Sequence, residues 1–347
     1  MLSKEERGKV DKAIKRVLCA GVEKRLWPLL WHQISAGGKR LRPALAIVSC
    51  RMLGGRLTDA LYPAAGLEIL HNYTLIVDDI MDHSEVRRNK PSTWSKYGRS
   101  MAECLAMDYS AAVFQAAARC RASDKIREIF ASTLKKVIDG QVEDLLFERA
   151  GRRNEPYIIK HRPQRVGESH YQKMIAKKTA SLFEAACWTG AVCAKAKPNQ
   201  IKALRDYGFN LGMAFQARDD ILDIFGEQKK FGKKIGQDIK EHKGANIVLL
   251  YAQSRLTALS APTPEVGAVP RPRESGQLER ILSKEKVNRK DIKTAMHLIK
   301  KTKAKQKAQA LVEKFASQAK KPLARLPQNK YNQQLSQLAD FIILRDH

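Results

Sequence analysis

The sequence lacks the features that mark secreted, zinc-binding and membrane-spanning proteins. Its six cysteines are scattered, and none forms a Cys-x-x-Cys pair, so we expect reduced thiols and neither a disulfide framework nor a zinc site. No apolar run approaches the roughly 20 residues that a bilayer requires. The segment from Met1 to Arg7 is charged and has no apolar core of the kind found in signal peptides. Together these absences predict a cytoplasmic protein without a membrane span.

Acidic residues are scarce relative to basic ones. There are 36 Asp and Glu against 64 Lys and Arg, a formal charge of +28 that suits nucleic acid, an anionic membrane surface or a phosphorylated substrate. Between Arg280 and Arg325 there are 15 basic and 3 acidic side chains. Aromatic residues are too sparse in that segment to stack on bases, which favours a solvated, Lys-rich helix face. We therefore predict no specific nucleic-acid site and at most peripheral contact with a membrane.

Alternating, strand-like runs are few, whereas apolar residues recur every three or four positions through most of the chain. This period predicts an all-α protein, a single-domain bundle of about ten or more helices around a deep central cavity. The predicted helices cover about residues 3–19, 41–53, 58–83, 96–119, 124–149, 168–194, 199–226, 244–259, 289–320 and 329–344.

Residues 260–276 interrupt the helical pattern and contain four prolines. Such a segment is typical of a surface loop or of a linker between domains. We favour the loop, because the helices after it are amphipathic and need a partner for their apolar faces. Residues 1–347 are therefore expected to form one domain.

Two copies of the pentad Asp-Asp-x-x-Asp stand out against the basic background. They consist of Asp78, Asp79 and Asp82, and of Asp219, Asp220 and Asp223. On a helix, the first and last carboxylates of each pentad share one face, and the second is rotated by about 100°. Mutual repulsion in such a group falls when divalent cations share the charge, and carboxylate ligands favour Mg²⁺. Because Mg²⁺ keeps waters or takes phosphate oxygens, the two pentads predict a clamp on a diphosphate.

Each pentad follows an apolar helical stretch. His71 and Thr74 share a stripe with Asp78 and Asp82, and Gln216 shares a stripe with the second pentad. This layout fits a substrate with an anionic head and a hydrocarbon tail, bound between helices. A single acidic pentad is usually a solvated helix face, and simple salt bridges to the following basic residues are the alternative. The repetition of the whole layout favours a common ligand.

Two further elements are ambiguous on their own. The segment Gly37-Gly38-Lys39-Arg40-Leu41-Arg42-Pro43 suits a helix-capping turn and a phosphate-binding loop equally well. The pair Lys178-Thr179 lies in an apolar helical stretch, where a lysine is more often a surface residue with a buried stem than a ligand.

Taken in order, these motifs resemble those of the trans-isoprenyl diphosphate synthase family, most closely its archaeal short-chain members. The resemblance runs almost from end to end. It covers Gly37-Gly38-Lys39-x-x-Arg42-Pro43, the first pentad with Arg87-Arg88, Tyr97-Gly98, Gly140-Gln141-x-x-Asp144, Lys178-Thr179, Phe215-Gln216 with the second pentad, and Gly232-Lys233-Lys234-Ile235-Gly236-x-Asp238. It implies an isoprenoid synthase fold and a homodimer.

The resemblance also implies the roles of the motif residues. Asp78, Asp82 and Asp219 would ligate up to three Mg²⁺ ions on an allylic diphosphate, with the other pentad aspartates as ligands or as their supports. Arg87, Lys178 and Lys234 would grip the same diphosphate. Isopentenyl diphosphate would lie on Lys39, Arg42, His71 and Arg88.

The implied chemistry is ionisation followed by alkene addition. Metal ions and cationic side chains stabilise the departing diphosphate, the alkene captures the allylic cation, and a proton is lost, with the released diphosphate as base. Thr179, Gln216 and Asp144 would offer oxygens near the cation. Water must be excluded, because it would convert the cation to an alcohol.

In the family, a bulky residue five positions before the first aspartate limits product length. Here that residue is Tyr73, followed by the smaller Thr74. The pattern resembles archaeal geranylgeranyl synthases and predicts a twenty-carbon product, with the fifteen-carbon product of a farnesyl synthase as the alternative.

Departures from the family pattern are concentrated near the second pentad. The usual Gly-Lys-x-Thr is replaced by His242-Lys243-Gly244-Ala245, which weakens the assignment of Lys243 as a diphosphate contact. Arg218 precedes the pentad directly, and we expect it to pair with Asp219 or Asp223.

Three other functions fit these motifs less well than chain elongation does. A terpene cyclase shares the first aspartate motif but normally lacks a second intact pentad and the basic set for a second diphosphate. A non-catalytic subunit or basic binding module is expected to have lost one pentad or the Lys-Thr pair, and both are present here. Head-to-head condensing enzymes of the squalene type space their aspartates differently.

Overall fold

A computed structural model describes residues 1–226, 236–259 and 274–345. These residues are mostly α-helical, as the sequence predicts, and the same ranges contain one two-stranded ribbon. Contacts group the chain into two compact units. The first consists of Met1–Val137, Thr179–Gly212 and Ala316–Phe341, and the second of Ile138–Lys178, Met213–Phe315 and Ile342–His347.

The helices, numbered in chain order, have the following bounds. They are α1 Lys4–Leu18, α2 Trp27–Ser35, α3 Leu41–Met52, α4 Leu57–Met81, α5 Thr93–Tyr97, α6 Arg99–Ala118, α7 Ser123–Leu146, α8 Pro156–His161, α9 Glu168–Ile175, α10 Ser181–Cys193, α11 Pro198–Phe225, α12 Gln237–Lys240, α13 Ile247–Leu259, α14 Glu274–Leu282, α15 Arg289–Lys300, α16 Ala304–Lys320 and α17 Lys330–Leu344. The antiparallel ribbon pairs β1 Val86–Arg87 with β2 Lys90–Pro91.

Two long helices of the prediction are interrupted in the structure. The predicted helix 289–320 is wrong as one element, because α15 ends at Lys300 and α16 begins at Ala304. Between them the Thr302 hydroxyl donates to the carbonyl of Ile299 and accepts from the amide of Ala304, which replaces two helical hydrogen bonds. The predicted helix 168–194 is divided into α9, a π-helical turn at Ala176–Ala180 and α10.

Short elements account for most of the remaining differences. The prediction missed α2, α8, α12 and α14, because a helix of about two turns shows too little of the 3.6-residue period. Of the predicted loop 260–276, residues 260–273 lie outside the described part of the chain. Residues 274–276 belong to α14, so the loop prediction is wrong for them.

In the first unit, α4 is the central helix and packs against α1, α3, α6 and α10. Its flank between Ala60 and Leu70 is almost wholly buried, which explains the long apolar stretch before the first pentad. Helix α1 begins with a capping box in which the Ser3 hydroxyl accepts from the amide of Glu6 and the Glu6 carboxylate accepts from the amide of Ser3. Packing against these four helices fixes the position of α4, and with it the first pentad at its carboxyl end.

In the second unit, α13 packs against α9, α14 and α15, and α12 packs against α15. Residues Ile247–Ala252 at the start of α13 are buried. The lysines of α15 and α16 lie on the opposite side from the core, and Lys300, Lys303, Lys305 and Lys307 are exposed, as predicted for a solvated helix face. Peripheral contact of this face with a membrane stays a prediction.

Over the described ranges, we find no helix whose length and apolar character would allow it to cross a membrane.

Candidate active site

The first pentad lies at the carboxyl end of α4, where its three aspartates have different environments. Asp78 and Asp82 are partly exposed, whereas Asp79 is completely buried. Asp82 is the C-cap residue, and its amide donates to the carbonyl of Asp78 at 2.8 Å. The rotation of about 100° between adjacent helical residues turns Asp79 towards the core while Asp78 and Asp82 remain accessible.

Asp79 is held by Arg87 from strand β1. The Arg87 Nε lies 2.8 Å from both carboxylate oxygens of Asp79, and Nη2 lies 2.6 Å from Oδ1. Burial would lower the pKa of Arg87, but the hydrogen bonds and charge of Asp79 outweigh it and raise that pKa. This buried charge-assisted pair fixes the short ribbon that follows α4 and leaves Arg87 beside the pentad.

The glycine-rich loop before α3 is built around arginines. Gly37 and Gly38 have φ angles of 94° and 133°, which favour glycine. A Cβ atom on Gly38 would lie 2.7 Å from Nη1 of Arg88, and that guanidinium donates to the carbonyl of Gly37. The Arg88 side chain is flexible enough to shift, so the positive φ angle is what requires glycine at position 38.

Arg40 anchors the same loop from inside. It is buried, and its guanidinium donates to Asp11 at 2.9 Å, to Glu68 at 3.1 Å and to the carbonyl of Ile34 at 3.1 Å. The loop is thereby attached to α1, α2 and α4. The sequence motif did not indicate this role, because a buried partner such as Glu68 is distant along the chain.

His71 lies on α4 within this basic cluster. Burial, followed by the charges of Arg42, Arg88, Arg87 and Arg40, holds the pKa of His71 well below its ordinary value. The imidazole is therefore neutral at physiological pH and can donate one hydrogen bond to an anion. Lys39, Tyr73, Thr74 and Thr179 are also residues of the first unit and are partly buried or exposed at its surface.

The second pentad lies on α11, and two of its aspartates are bound within the second unit. Asp220 accepts from the Gln216 side chain at 2.9 Å and from the amide of Ile247 at 3.0 Å. Burial and the nearby charge of Asp238 raise its pKa well above the ordinary value. Asp223 accepts from the amide of Asp238 at 3.2 Å. These bonds attach the starts of α12 and α13 to α11.

Asp219 is the most exposed aspartate of this pentad, with 31% of its side chain accessible, and it accepts a hydrogen bond from Arg345. The Arg345 guanidinium also lies 4.4 Å from the centre of the Phe215 ring. Arg218, which we expected to pair with an aspartate, donates to the main-chain oxygen of Arg345 at 2.6 Å and to Gln309 at 2.7 Å.

Asp144 brings two predicted diphosphate contacts together. Its Oδ2 accepts from Lys178 at 2.7 Å and from Lys243 at 3.1 Å, and Lys243 also lies 3.7 Å from Glu148. Burial would raise the pKa of Asp144, but the two lysines outweigh it and lower that pKa below its ordinary range. Lys243 thus shares a carboxylate with Lys178 despite the altered sequence around it.

Gly140 allows α7 to approach the backbone of Lys178 closely. A Cβ atom on Gly140 would overlap the backbone of Lys178, so only glycine allows α7 to lie against the π-helical turn. Asp144 follows one turn later on α7 and meets the Lys178 ammonium group there. Lys234, predicted to bind the same diphosphate, lies outside the described residues.

The aspartates of the two pentads are suited to bind Mg²⁺ only when waters and a bound phosphate supply the remaining ligands. Among the described residues, no three His, Cys, Asp or Glu side chains form a group that could hold a metal ion by themselves. Mg²⁺ commonly takes one or two carboxylates and completes its shell with waters and phosphate oxygens. The accessible carboxylates of Asp78, Asp82 and Asp219 suit that role, while Asp79, Asp220 and Asp223 are engaged within their units.

Comparisons with known proteins agree with this chemistry. The sequence model of the polyprenyl synthetase family matches residues 23–299. The short chain isoprenyl diphosphate synthase of Methanothermobacter thermautotrophicus is 32% identical over 91% of this chain and 89% of its own length. The geranylgeranyl diphosphate synthase of Saccharolobus solfataricus is 35% identical, with the same coverage of 91% and 89%. A polyprenyl synthase from Caulobacter crescentus, crystallised with calcium and isoprenyl diphosphate, has a TM-score of 0.85 and 30% identity over 99% of this chain and 96% of its own.

Asp144→Asn tests the ion pairs of Asp144 with Lys178 and Lys243. Because it leaves two buried ammonium groups without their shared anion, we expect the free energy of unfolding at pH 7 to fall by about 3 kcal/mol. The contribution of Asp144 is complete above its unfolded pKa of about 4 and is lost as the pH falls below it, because its folded pKa is lower. Urea unfolding at pH 3 to 7 should therefore show a difference from wild type that shrinks in acid. Asp139→Asn on the same helix, whose carboxylate is 68% exposed, is the matched control. A similar loss in both variants would contradict the assignment.

Proposed function

Because the chain belongs to the polyprenyl synthetase family, we propose that it is a Mg²⁺-dependent short-chain prenyltransferase that condenses isopentenyl diphosphate with an allylic diphosphate. The observation that carries the proposal is the first unit, where Asp78 and Asp82 are accessible at the end of α4 and His71, two helical turns before Asp78, lies near four arginines. The carboxylates suit a diphosphate that is bound through metal ions, whereas the arginines around His71 suit a diphosphate that is bound directly by cationic side chains.

The proposed roles of the site residues follow from the chemistry of their side chains. Asp78, Asp82 and Asp219 would hold up to three Mg²⁺ ions, which supply positive charge to the diphosphate that leaves. Arg87 and Lys178 would bind the oxygens of that diphosphate, and Lys243 and Lys234 would assist them. Lys39, Arg42 and Arg88 would bind isopentenyl diphosphate, with His71 donating a hydrogen bond.

Condensation would break the allylic carbon–oxygen bond and form a bond from that carbon to the terminal alkene carbon. A proton then leaves the neighbouring carbon, and the departing diphosphate is the base that we propose. Thr179 and Gln216 would place oxygens beside the cation, and Asp144 would orient the two lysines that it binds. No protein nucleophile takes part.

Competing functions use fewer of these groups. A terpene cyclase binds one diphosphate and needs no separate basic set around Lys39 and Arg42. A non-catalytic subunit is expected to have lost one pentad or the Lys-Thr pair, and both are present here. Several relatives are named geranylgeranyl diphosphate synthase, which supports a twenty-carbon product over the fifteen-carbon alternative. The six free cysteines agree with a cytoplasmic enzyme.

Incubation with isopentenyl diphosphate and each allylic primer tests the activity. We expect Mg²⁺-dependent formation of geranylgeranyl diphosphate from dimethylallyl, geranyl and farnesyl diphosphates, measured by chromatography of the prenyl products. Asp78→Ala should lower kcat by about 100-fold or more, because charge on the leaving diphosphate loses a metal ligand. Asp206→Ala removes an exposed carboxylate and should leave the rate unchanged. Absence of product with every primer would overturn the proposal.

Tyr73→Ser tests the proposed limit on chain length. Tyr73 lies on α4 five positions before Asp78, and a smaller side chain there should admit a further isoprene unit, so the main product becomes longer than that of wild type. Product length is read by chromatography against prenyl standards. Tyr157→Ser, which changes a 65% exposed tyrosine on α8, should leave product length unchanged. If Tyr73→Ser also leaves it unchanged, another residue sets the limit.

We also propose a homodimer, supported by an apolar stripe on α6. Met101, Met107 and Phe114 are 38%, 64% and 38% exposed, and the exposed Cys104 and Ala111 lie between them on the same face. An exposed stripe of this kind is typical of a protein interface. A second copy fits this stripe best, because its exposed positions are apolar and Asp108 is the one charged residue on that face between Met101 and Phe114.

Met107→Lys tests this interface. A buried, unpaired ammonium group opposes association, so we expect the wild type to elute as a dimer and the variant to shift towards the monomer in light scattering. Ile159→Lys places the same charge at a 47% exposed position on α8 and should keep the wild-type mass. A monomeric wild type would contradict the dimer, and an unchanged Met107→Lys dimer would move the interface elsewhere.

A further inference from the structure

Arg345, the residue after α17, is unusually well fixed for a residue beyond the end of a helix. Its side chain is only 9% exposed and donates to Oδ1 of Asp219. The same guanidinium lies over the Phe215 ring, one helical turn before Asp219 on α11. Two residues of one turn of α11 therefore hold a single guanidinium, and one of them is the first aspartate of the second pentad.

Arg218 holds the main chain at the same place. Its Nε donates to the carbonyl oxygen of residue 345 at 2.6 Å, and its Nη1 donates to Gln309 of α16 at 2.7 Å. The sequence of α11 thus provides an arginine for the backbone and, in the next position, an aspartate for the side chain of Arg345. Neither contact was expected from the sequence, which predicted that Arg218 pairs with Asp219 or Asp223.

The position of Arg345 conflicts with binding of a cation at Asp219. Asp219 is the accessible carboxylate of its pentad, because Asp220 and Asp223 are buried and accept hydrogen bonds from their own unit. A guanidinium at Oδ1 neutralises that carboxylate, and it also repels a divalent cation that approaches the same oxygen. Arg345 and Mg²⁺ therefore compete for one ligand.

We propose that Arg345 is a built-in counter-ion of Asp219, which Mg²⁺ displaces when it binds with diphosphate, so that metal binding releases the Arg345 side chain from Asp219. The inference deepens the proposed function and rests on it, since Asp219 must be a metal ligand. It makes Arg345 and Arg218 positioning residues that set the Mg²⁺ concentration at which the second pentad is loaded.

Thermal unfolding of the full chain gives a readout that does not require turnover. The midpoint is measured against Mg²⁺ concentration with inorganic pyrophosphate fixed. In Arg345→Gln we expect a lower midpoint without metal, because Asp219 loses its counter-ion, and a half-saturating Mg²⁺ concentration about fivefold lower than in wild type. Arg218→Gln should shift the Mg²⁺ dependence in the same direction, since it loosens the main chain of residue 345. Arg325→Gln removes an exposed arginine elsewhere and should match wild type.

The outcomes separate the two proposals. The midpoint of Arg345→Gln could instead fall equally with and without Mg²⁺, at an unchanged half-saturating Mg²⁺ concentration. That result would show that Arg345 only stabilises the fold, and it would overturn the proposal that Arg345 competes with Mg²⁺. Should Arg345→Gln not fold, Arg218→Gln gives the decisive measurement on the same criterion. If pyrophosphate and Mg²⁺ fail to raise the midpoint of wild type at all, the metal assignment itself is wrong, and the proposed function loses its basis.

Discussion

Charge neutralisation of carboxylates is the constraint on which the candidate residues of each unit depend. An aspartate removed from water needs a cation or several hydrogen-bond donors. Asp79 meets this need with Arg87 and Asp144 with Lys178 and Lys243, while the partly exposed Asp219 is paired with Arg345. Each pair joins different elements, and the pairs of Asp144 with Lys243 and of Asp219 with Arg345 join segments far apart along the chain. The same interactions that balance charge therefore also position the residues proposed to bind substrate.

In the proposed function, diphosphate binding would be an exchange of partners for Lys178 and Lys243. Lys178 and Lys243 converge on one oxygen of Asp144, and a diphosphate offers them oxygens of higher charge. The lysines therefore need little rearrangement to hold the ligand, which lowers the entropic cost of ordering their long side chains. While both lysines are bound to it, Asp144 is held ionised, because they lower the pKa of its carboxyl below the ordinary range. Preorganisation of this kind is what stabilisation of a departing anion requires.

The sequence was sufficient to predict the helical class and the motifs, because both depend on local spacing. Long helices such as α4 and α11 were located to within a few residues by their apolar period. The break at Thr302 and the π-helical turn at Lys178 were missed, because each depends on a specific hydrogen bond or close packing. Partners such as Glu68 for Arg40 were also missed, since single residues separated by a long stretch of chain leave no periodic pattern.

Environment gives the three aspartates of each pentad different roles despite their identical chemistry. The middle aspartate is buried in both copies, where Asp79 binds Arg87 and Asp220 accepts bonds from Gln216 and Ile247. Rotation by about 100° from the preceding aspartate is sufficient to turn it from the accessible face to the packed one. Asp78 and Asp219, the first aspartates, remain partly exposed in both copies. Each pentad therefore combines a partly exposed first aspartate, the proposed metal ligand, with a buried second aspartate that is bound within its own unit.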